Sequence, residues 1–476
     1  MNVPIARLFG LIVLLFALLV VWTSRWTVFE ASALNDNSLN KLNLAHQLLV
    51  KRGRILADNG TVLARSVPEK GGTWTRFYPT ASAFSQSIGY AIVLTGRYAG
   101  LERFYRHQIG GAPTGLGSVF GPLSGNQFAG DDVYTSLDPK AQQVAINDLA
   151  GQAGSVVALD PRTGAVLAMY ANPTYDDNHL APCVPPSCSQ FNNSTQAGWP
   201  PGSTFKVVTA VAAIDSGKFT PNSTLNGDSP KKISGIPLSN DGNASYGTID
   251  LTTALINSVN TVWAQVALAV GPATMSKYME RFGFYSKPPL DYPSGEIGVS
   301  QPHSTINGRA QPPASPDEDL GRIGIGQGGL QVTPLQMAMV AAAVANGGKL
   351  MVPHFMTRVV DPTGSTVQTF NPTVYNQVMS PTTAQEVTQM MKRVVDEGTG
   401  QAAQLGGISV AGKTGTASIG ANGSNLTEPW FIGLAPVQNP RVAVAVTIAR
   451  TQGQFGGQVA APIARDIIQT LLAEGK

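Results

Sequence analysis

Three short segments stand in a fixed order on this 476-residue chain: Ser203-Thr204-Phe205-Lys206, Ser258-Val259-Asn260 and Lys413-Thr414-Gly415. The second and third begin 55 and 210 residues after Ser203. A lone Ser-x-x-Lys says little. All three in order, each with fitting flanks, restrict the chain to folds that bring two serines, two lysines and an amide to one point. That set suits acyl transfer through a serine without help from a histidine.

The flanks say where each segment should sit. Trp199-Pro200-Pro201-Gly202 resists helix, because proline lacks an N–H and glycine is permissive. From Phe205 to Ile214 the chain is almost wholly apolar, and Asp215-Ser216-Gly217 reads as a stop. A buried helix is therefore expected to open at Ser203, with Lys206 one turn on and able to reach the serine hydroxyl. A helix N-terminus there would favour a developing anion. The plainer reading is a buried helix with a chance lysine, but a lysine in such surroundings is costly unless paired. Ser258 and Asn260 fall between two helix-like stretches, 251–256 and 261–270, where Asn260 is placed to cap the second. Lys413 to Thr416 should lie on a strand entered from Ile408. Residues 430–435 and 442–449 should form a hairpin around Gln438-Asn439-Pro440. Gly412 and Gly415 would let another backbone, or an extended peptide, approach that strand.

Leu8 to Trp22 is apolar without a break, flanked by Arg7 and Arg25. Counted from Ile5 to Ser24 it has about the 20 residues that span a bilayer. Ala31-Ser32-Ala33 offers the rival reading of a cleaved signal peptide, but Arg25, Trp26 and Glu30 separate it from the apolar run. The chain as a whole is 43% hydrophobic and 13% charged, enough for a large core and two domains. A net charge of +3 with no basic run excludes a nucleic-acid footprint. Cys183 and Cys188 could close a small disulfide loop outside the membrane; free thiols, or a metal site with His179, are the alternatives. Four ligands at metal spacing are absent, so no metal is expected. The five histidines (46, 107, 179, 303, 354) are scattered and read as surface or packing residues.

With these segments in hand, the chain resembles the class B penicillin-binding proteins, most of all the short actinobacterial type A. The resemblance runs from about residue 52 to the C-terminus. Arg52-Gly53-Arg54-Ile55, Asn59-Gly60 and Leu63-Ala64 are similar to the family's first pedestal motif, continued by Tyr78-Pro79, Gly89-Tyr90 and Gly100-Leu101-Glu102. Thr135-Ser136-Leu137-Asp138 with Gln142, Gly324-Ile325-Gly326-Gln327-Gly328, Thr333-Pro334-Leu335-Gln336-Met337 and Asn346-Gly347-Gly348 also match. Glu397-Gly398-Thr399-Gly400, Trp430-Phe431, Gly433 and Ala435-Pro436 complete the likeness. Two positions depart from the pattern. Ala57-Asp58 stands where many relatives carry Asp-Arg, and Asn193 where many place an arginine.

The resemblance implies an α+β fold. Residues 1–24 would be an anchor and 25–150 an elongated pedestal of the class B dimerisation type. Residues 151–476 would form the penicillin-recognising, serine β-lactamase-like transpeptidase domain, a five-stranded antiparallel sheet with helices on both faces. Residues 287–317, rich in Pro, Ser and Gly, should form a long loop near the cleft. It also implies roles. Ser203 would attack the carbonyl between two D-alanines of a stem peptide, Lys206 would take its proton, and Ser258 would relay a proton to the leaving group. Asn260 would hold the donor amide, and Lys413 with Thr414, Gly415 and Thr416 would bind the terminal carboxylate. The N–H groups of Ser203 and Thr416 would form the oxyanion hole. Donor and acceptor stem peptides, β-lactams, a membrane-embedded SEDS-type glycan polymerase and division or elongation proteins are the implied partners; no cofactor is implied. A D,D-carboxypeptidase or serine β-lactamase would use the same three segments, but neither explains the anchor and pedestal. A silent β-lactam sensor or division scaffold would be free to lose Ser203, Lys206 or Lys413, and all three are present.

Overall fold

The structure, a computed structural model, describes residues 3–26, 30, 47–111, 129–180, 183–419 and 425–476. Ala31-Ser32-Ala33 lie outside the described residues. Helix α1 (Val3–Ser24) is 22 residues long, and none of its residues is buried against the rest of the chain. Among the described residues it is the single helix long and apolar enough to cross a bilayer. By length and composition it fits a single-pass anchor.

Beyond it, β1 (Ile55–Leu56), β2 (Val62–Pro68), β3 (Trp74–Phe77) and β4 (Asp132–Thr135) begin one sheet. Strand β1 runs antiparallel to β2 and parallel to β4. The motif residues that open this region are structural. Ile55 is fully buried, and a Cβ on Gly53 would collide with the Asp131 carbonyl. Arg52 and Arg76 both donate to the fully buried Glu102 carboxylate. Burial alone would raise the Glu102 pKa, but the two guanidiniums outweigh it and hold the carboxyl below its ordinary value. Packing thus accounts for Arg52, Gly53 and Ile55, while Asn59 and Gly60 stay exposed in the turn. The departure at Ala57-Asp58 is local as well: Ala57 is buried, and Asp58 pairs with Lys476 at the other end of the chain.

Helix α2 (Pro139–Leu149) leads into the second sheet, with Asp138 capping it by accepting from Lys140 N and Ala141 N. Strands β5 (Gly154–Leu159) and β6 (Val166–Asn172) make the expected opening hairpin. The helices α3 (Lys206–Asp215), α4 (Leu251–Ile256), α5 (Asn260–Val270) and α6 (Pro334–Ala345) fill the middle of the chain. Nine of the ten residues of α3 are buried, as an apolar surface on all sides requires. Residues 287–317 are mostly irregular, with one two-residue strand at Gln301–Pro302.

The chain then returns to the first sheet. Strands β7 (Met356–Val360) and β8 (Thr366–Thr369) extend it, β7 pairing with β4, for the order β8-β7-β4-β1-β2-β3. A boundary at residue 150 therefore does not separate the sheets: a segment from the far half of the chain completes the pedestal. Helix α7 (Pro381–Glu397) follows, and then β9 (Ala411–Ile419), β10 (Leu426–Ala435), β11 (Val442–Ile448) and β12 (Thr451–Gln452). The second sheet has the order β9-β10-β11-β5-β6, antiparallel throughout, with β12 added to β10. Its side chains alternate between two cores. Val157, Leu159, Ala443 and Ala445 face α6, while Val156, Ala158, Val442, Val444 and Val446 face α2 and the terminal helix α8 (Gly456–Ala473). Helix α8 supplies Ala460, Ala464, Ile467, Ile468 and Leu471 along one stripe. Each of the valine, leucine and isoleucine side chains contributes on the order of 1.5–3 kcal/mol when fully buried.

Two expected outcomes follow. A chain starting at Gly151 strips β4 from β7 and α2 from α8, so it should melt well below the full-length protein in thermal denaturation; an unchanged melting temperature would contradict the shared sheet. Cys183 and Cys188 are disulfide-bonded, closing a loop with a sequence separation of only 5. For so short a loop the chain-entropy gain is about 2 kcal/mol. Non-reducing peptide mapping should find one linked fragment, and reduction should loosen this loop without unfolding the sheet.

Candidate active site

Pro201 and Gly202 delay the start of α3. Gly202–Phe205 forms a 3-10 turn, and the α-helix begins only at Lys206. This changes the expected helix but strengthens its consequence: with three residues per turn, Ser203 and Lys206 line up on one edge. The lysine does not reach back to the serine, however. Its Nζ donates to Ser258 O at 2.7 Å, Ser258 Oγ at 3.2 Å and Asn260 Oδ1 at 2.7 Å. Among the described residues Ser203 Oγ has no hydrogen-bond partner, so the hydroxyl is free to meet a substrate.

Ser258 joins the two lysines. Lys413 Nζ donates to the same Ser258 Oγ at 3.0 Å, and also to Thr414 O at 3.0 Å. Ser258 adopts a left-handed conformation, φ 56°, between α4 and α5. A serine held there costs on the order of 1–3 kcal/mol, which the three contacts of Lys206 and Lys413 help to offset. Asn260 does not cap α5 as its position suggested. It is the first helical residue, its Oδ1 is taken by Lys206 and its Nδ2 donates to Ser239 O at 3.1 Å. Asn240 performs the capping, accepting from Thr261 N at 2.9 Å.

Both lysines are fully buried. Burial pushes Lys413 down to about 7. Lys206 is driven well below the ordinary lysine value, first by burial and then by the charge of Lys413, against a smaller opposing pull from Asp241. Two ammonium groups bridged by one hydroxyl are mutually unfavourable, and Lys206 is the member pushed towards neutrality. Its three acceptors suit an ammonium, but Ser258 Oγ can reverse its role and donate to a neutral amine.

Strand β9 is the edge of its sheet. Thr414 O accepts from Lys413 Nζ and so points off the free edge. Backbone N–H and C=O of one strand residue point the same way and alternate along the strand, so Thr416 N–H leaves by the same edge. Its cross-strand neighbour is Pro429, which has no N–H to offer. Gly415 is not open for a peptide. A Cβ there would lie 2.7 Å from Pro201 O and 2.9 Å from Thr204 Cγ2, so what packs against it is the Ser203 turn itself. Gly412 is likewise covered by the Phe431 ring. Gly326 holds the turn from the other side: Gly202 N donates to its carbonyl at 3.0 Å, and a Cβ on Gly326 would overlap Gly202 O.

The structure thus brings Ser203, Lys206, Ser258, Asn260, Lys413, Thr414 and Thr416 to one locus, with Gly415 as a spacer beneath it. Cys183 and Cys188 lie in a separate loop that packs on the core. Sequence reasoning gave no role to Thr399, whose Oγ1 is 2.6 Å from Thr414 Oγ1, or to Gly456, whose N–H donates to Thr416 Oγ1 at 3.1 Å. The Glu397-Gly398-Thr399-Gly400 segment was the available signal for the first. Of the histidines, His354 is buried and stacked on Phe370, with burial lowering it to about 4, and His179 pairs with Asp176 at the surface. Among the described residues no group of three His, Cys, Asp or Glu side chains could hold a metal.

Comparison with known proteins follows this geometry. Residues 154–469 match the penicillin-binding protein transpeptidase domain, and residues 52–133 match the dimerisation domain of penicillin-binding protein A. The chain belongs to the class B penicillin-binding protein transpeptidases. It is 33% identical to the peptidoglycan D,D-transpeptidase PbpA of Mycolicibacterium smegmatis, covering 100% of both chains. It is 30% identical to PbpA of Mycobacterium tuberculosis, covering 99% of each. Among solved structures, the ceftriaxone acyl-enzyme complex of penicillin-binding protein A from M. tuberculosis superposes with a TM-score of 0.80 at 29% identity, over 90% of this chain and 99% of that one. The D,D-transpeptidase domain of a peptidoglycan glycosyltransferase from Eggerthella lenta gives 0.76 at 32% identity, over 90% of this chain and 99% of that one.

Proposed function

We propose that this protein is a serine-type peptidoglycan D,D-transpeptidase that cross-links stem peptides through an acyl-enzyme and is acylated by β-lactams. The observation that carries the reading is the Lys206–Ser258–Lys413 bridge beside an unencumbered Ser203. Ser203 Oγ attacks the carbonyl between the two D-alanines while Lys206, held near neutrality, accepts its proton. The tetrahedral oxyanion sits against the N–H groups of Ser203 and Thr416, each worth roughly 3 kcal/mol of barrier. Ser258, hydrogen-bonded to both lysines, passes a proton to the departing D-alanine amine, and the C–N bond breaks. Asn260 orients the donor amide. Cationic Lys413 and the hydroxyls of Thr414 and Thr416 hold the terminal carboxylate. An acceptor amine then attacks the ester carbonyl, gives up a proton to the same relay and releases Ser203.

In this reading α1 anchors the protein in the cytoplasmic membrane with the catalytic domain outside. The pedestal holds the cleft at a distance from the bilayer, beside a membrane-embedded glycan polymerase of the SEDS type and its division or elongation partners. The test of the reaction is turnover of a stem-peptide thioester with and without an acceptor amine. Aminolysis exceeding hydrolysis is expected; hydrolysis alone would mark a carboxypeptidase, and no turnover a silent site.

A further inference from the structure

The two hydroxyls that the transpeptidase reading gives to the donor's terminal carboxylate do not turn freely. Thr416 Oγ1 accepts from Gly456 N–H at 3.1 Å. An N–H only donates, so it takes a lone pair of that oxygen and leaves the Thr416 proton to find an acceptor elsewhere. Among the described residues the Thr416 hydroxyl donates to nothing, and its proton is left to a ligand. Thr414 Oγ1 has two neighbours of its own: Lys413 Nζ at the longer distance of 3.4 Å, and Thr399 Oγ1 at 2.6 Å. The ammonium only donates, whereas the Thr399 hydroxyl can donate or accept. If Thr414 donated to Thr399, its proton would be used there and a carboxylate would meet a lone pair. If Thr399 donates, both lone pairs of Thr414 are taken and its proton points away from the protein, the state already imposed on Thr416.

Thr399 is fixed in place to do this. It follows the end of α7, where Gly398 N and Gly400 N both donate to Val394 O, at 3.2 and 3.0 Å. Its own N–H donates at 3.4 Å to Ile256 O, two residues before Ser258. A Cβ on Gly398 would lie 2.6 Å from Ile256 O, and one on Gly457 would lie 2.3 Å from Thr399 O. The last turn of α7, the end of α4 and the first turn of α8 therefore close on this one residue. Its hydroxyl bonds no backbone carbonyl, the usual partner of a threonine near a helix end. Among the described residues its one hydrogen-bond partner is Thr414.

We infer that Thr399 is a positioning residue for carboxylate recognition: its hydroxyl donates to Thr414 Oγ1 and so turns the Thr414 proton towards the terminal carboxylate of the donor peptide. The inference rests on the carboxylate role that the transpeptidase reading gives to Thr414. Two hydroxyls presented as donors, beside the ammonium of Lys413, match a carboxylate, which only accepts. A neutral carboxamide at the same place would bring an NH₂ group that finds no free lone pair on either threonine.

The experiment measures acylation of the full-length protein by two stem-peptide thioesters that differ only in the leaving group, one ending in a carboxylate and the other in a carboxamide. Wild-type protein should favour the carboxylate donor in kcat/KM. Thr399→Val, which keeps the shape and removes the hydroxyl, should shrink that preference roughly ten-fold, and Thr399→Ser should restore most of it. A packing defect would slow both donors and leave the ratio alone, so an unchanged ratio in Thr399→Val overturns the inference. Thr399 is itself exposed, and a second comparison separates action through Thr414 from direct contact with the carboxylate. In a Thr414→Val background, Thr399→Val should change the ratio no further; a full additional ten-fold loss would make Thr399 a direct ligand and overturn the positioning role. Equal wild-type rates on the two donors overturn the carboxylate role of Thr414 and the inference with it. A wild-type protein that shows the carboxylate preference but passes its acyl group to no amine overturns the transpeptidase reading alone.

Discussion

Ser203→Ala protein will fail to form a covalent adduct with a fluorescent penicillin, and stem-peptide turnover will fall to the uncatalysed background. The loss should be complete for labelling, because the other hydroxyl of the turn, that of Thr204, is buried and donates to Pro201 O at 2.8 Å. Ser258, the other serine of the cluster, has its Oγ engaged by both lysines. The variant should fold normally. Ser203 Oγ contributes no hydrogen bond among the described residues, and the turn is held by Gly202–Gly326 and by Gly415 beneath it. Melting temperatures within a degree or two of wild type would confirm that chemistry alone was removed. A label that survives, mapped by mass spectrometry to another residue, would remove Ser203 as nucleophile.

Lys206→Ala should slow acylation by about 10²–10⁴, the usual cost of losing a proton acceptor. The pH profile separates this from simple loss of fold. In the wild type Lys206 has a depressed pKa, so it is protonated below that value and neutral above it; acylation should rise as pH rises through it. Lys413 must be cationic to hold a carboxylate and titrates at about 7 in the free protein, so kcat/KM should fall again as pH climbs past that point. Lys206→Ala removes the rising limb and keeps the falling one. A variant that retained the rising limb would assign the base to another group.

The three motifs were legible because their spacing and flanks are local facts. The apolar run ending at Ile214 signalled a buried helix, and residues 430–435 and 442–449 signalled a hairpin, which the register bears out from Trp430–Thr447 to Ala435–Val442. What stayed hidden depends on contacts between distant segments. The expected Lys206–Ser203 contact gave way to Ser258 and Asn260 because those acceptors come from the α4–α5 junction, whose turn depends on a left-handed serine that sequence does not announce. Asn260 was read as a cap because of its position, but a side chain already held by Lys206 and Ser239 cannot also cap, and Asn240 does so from 21 residues away. Gly412 and Gly415 did signal close approach; the approaching groups proved to be Phe431 and the nucleophile turn. The pedestal motif was the most ambiguous, and its arginine and glycine turned out to be internal supports.

The sheet completed by β7 has a consequence for how such genes can be reshuffled. Tyr134 pairs with Arg358, more than two hundred residues later. A single crossover between two related genes at the apparent domain border would join a β4 from one parent to a β7 from the other. The recombinant would inherit two halves of a sheet that were never selected together. Exchange of the transpeptidase region between relatives should therefore succeed mainly when the transferred block also carries the 132–135 strand, or stops short of the 356–369 hairpin. Mosaic alleles assembled under antibiotic selection should show breakpoints that respect this pairing.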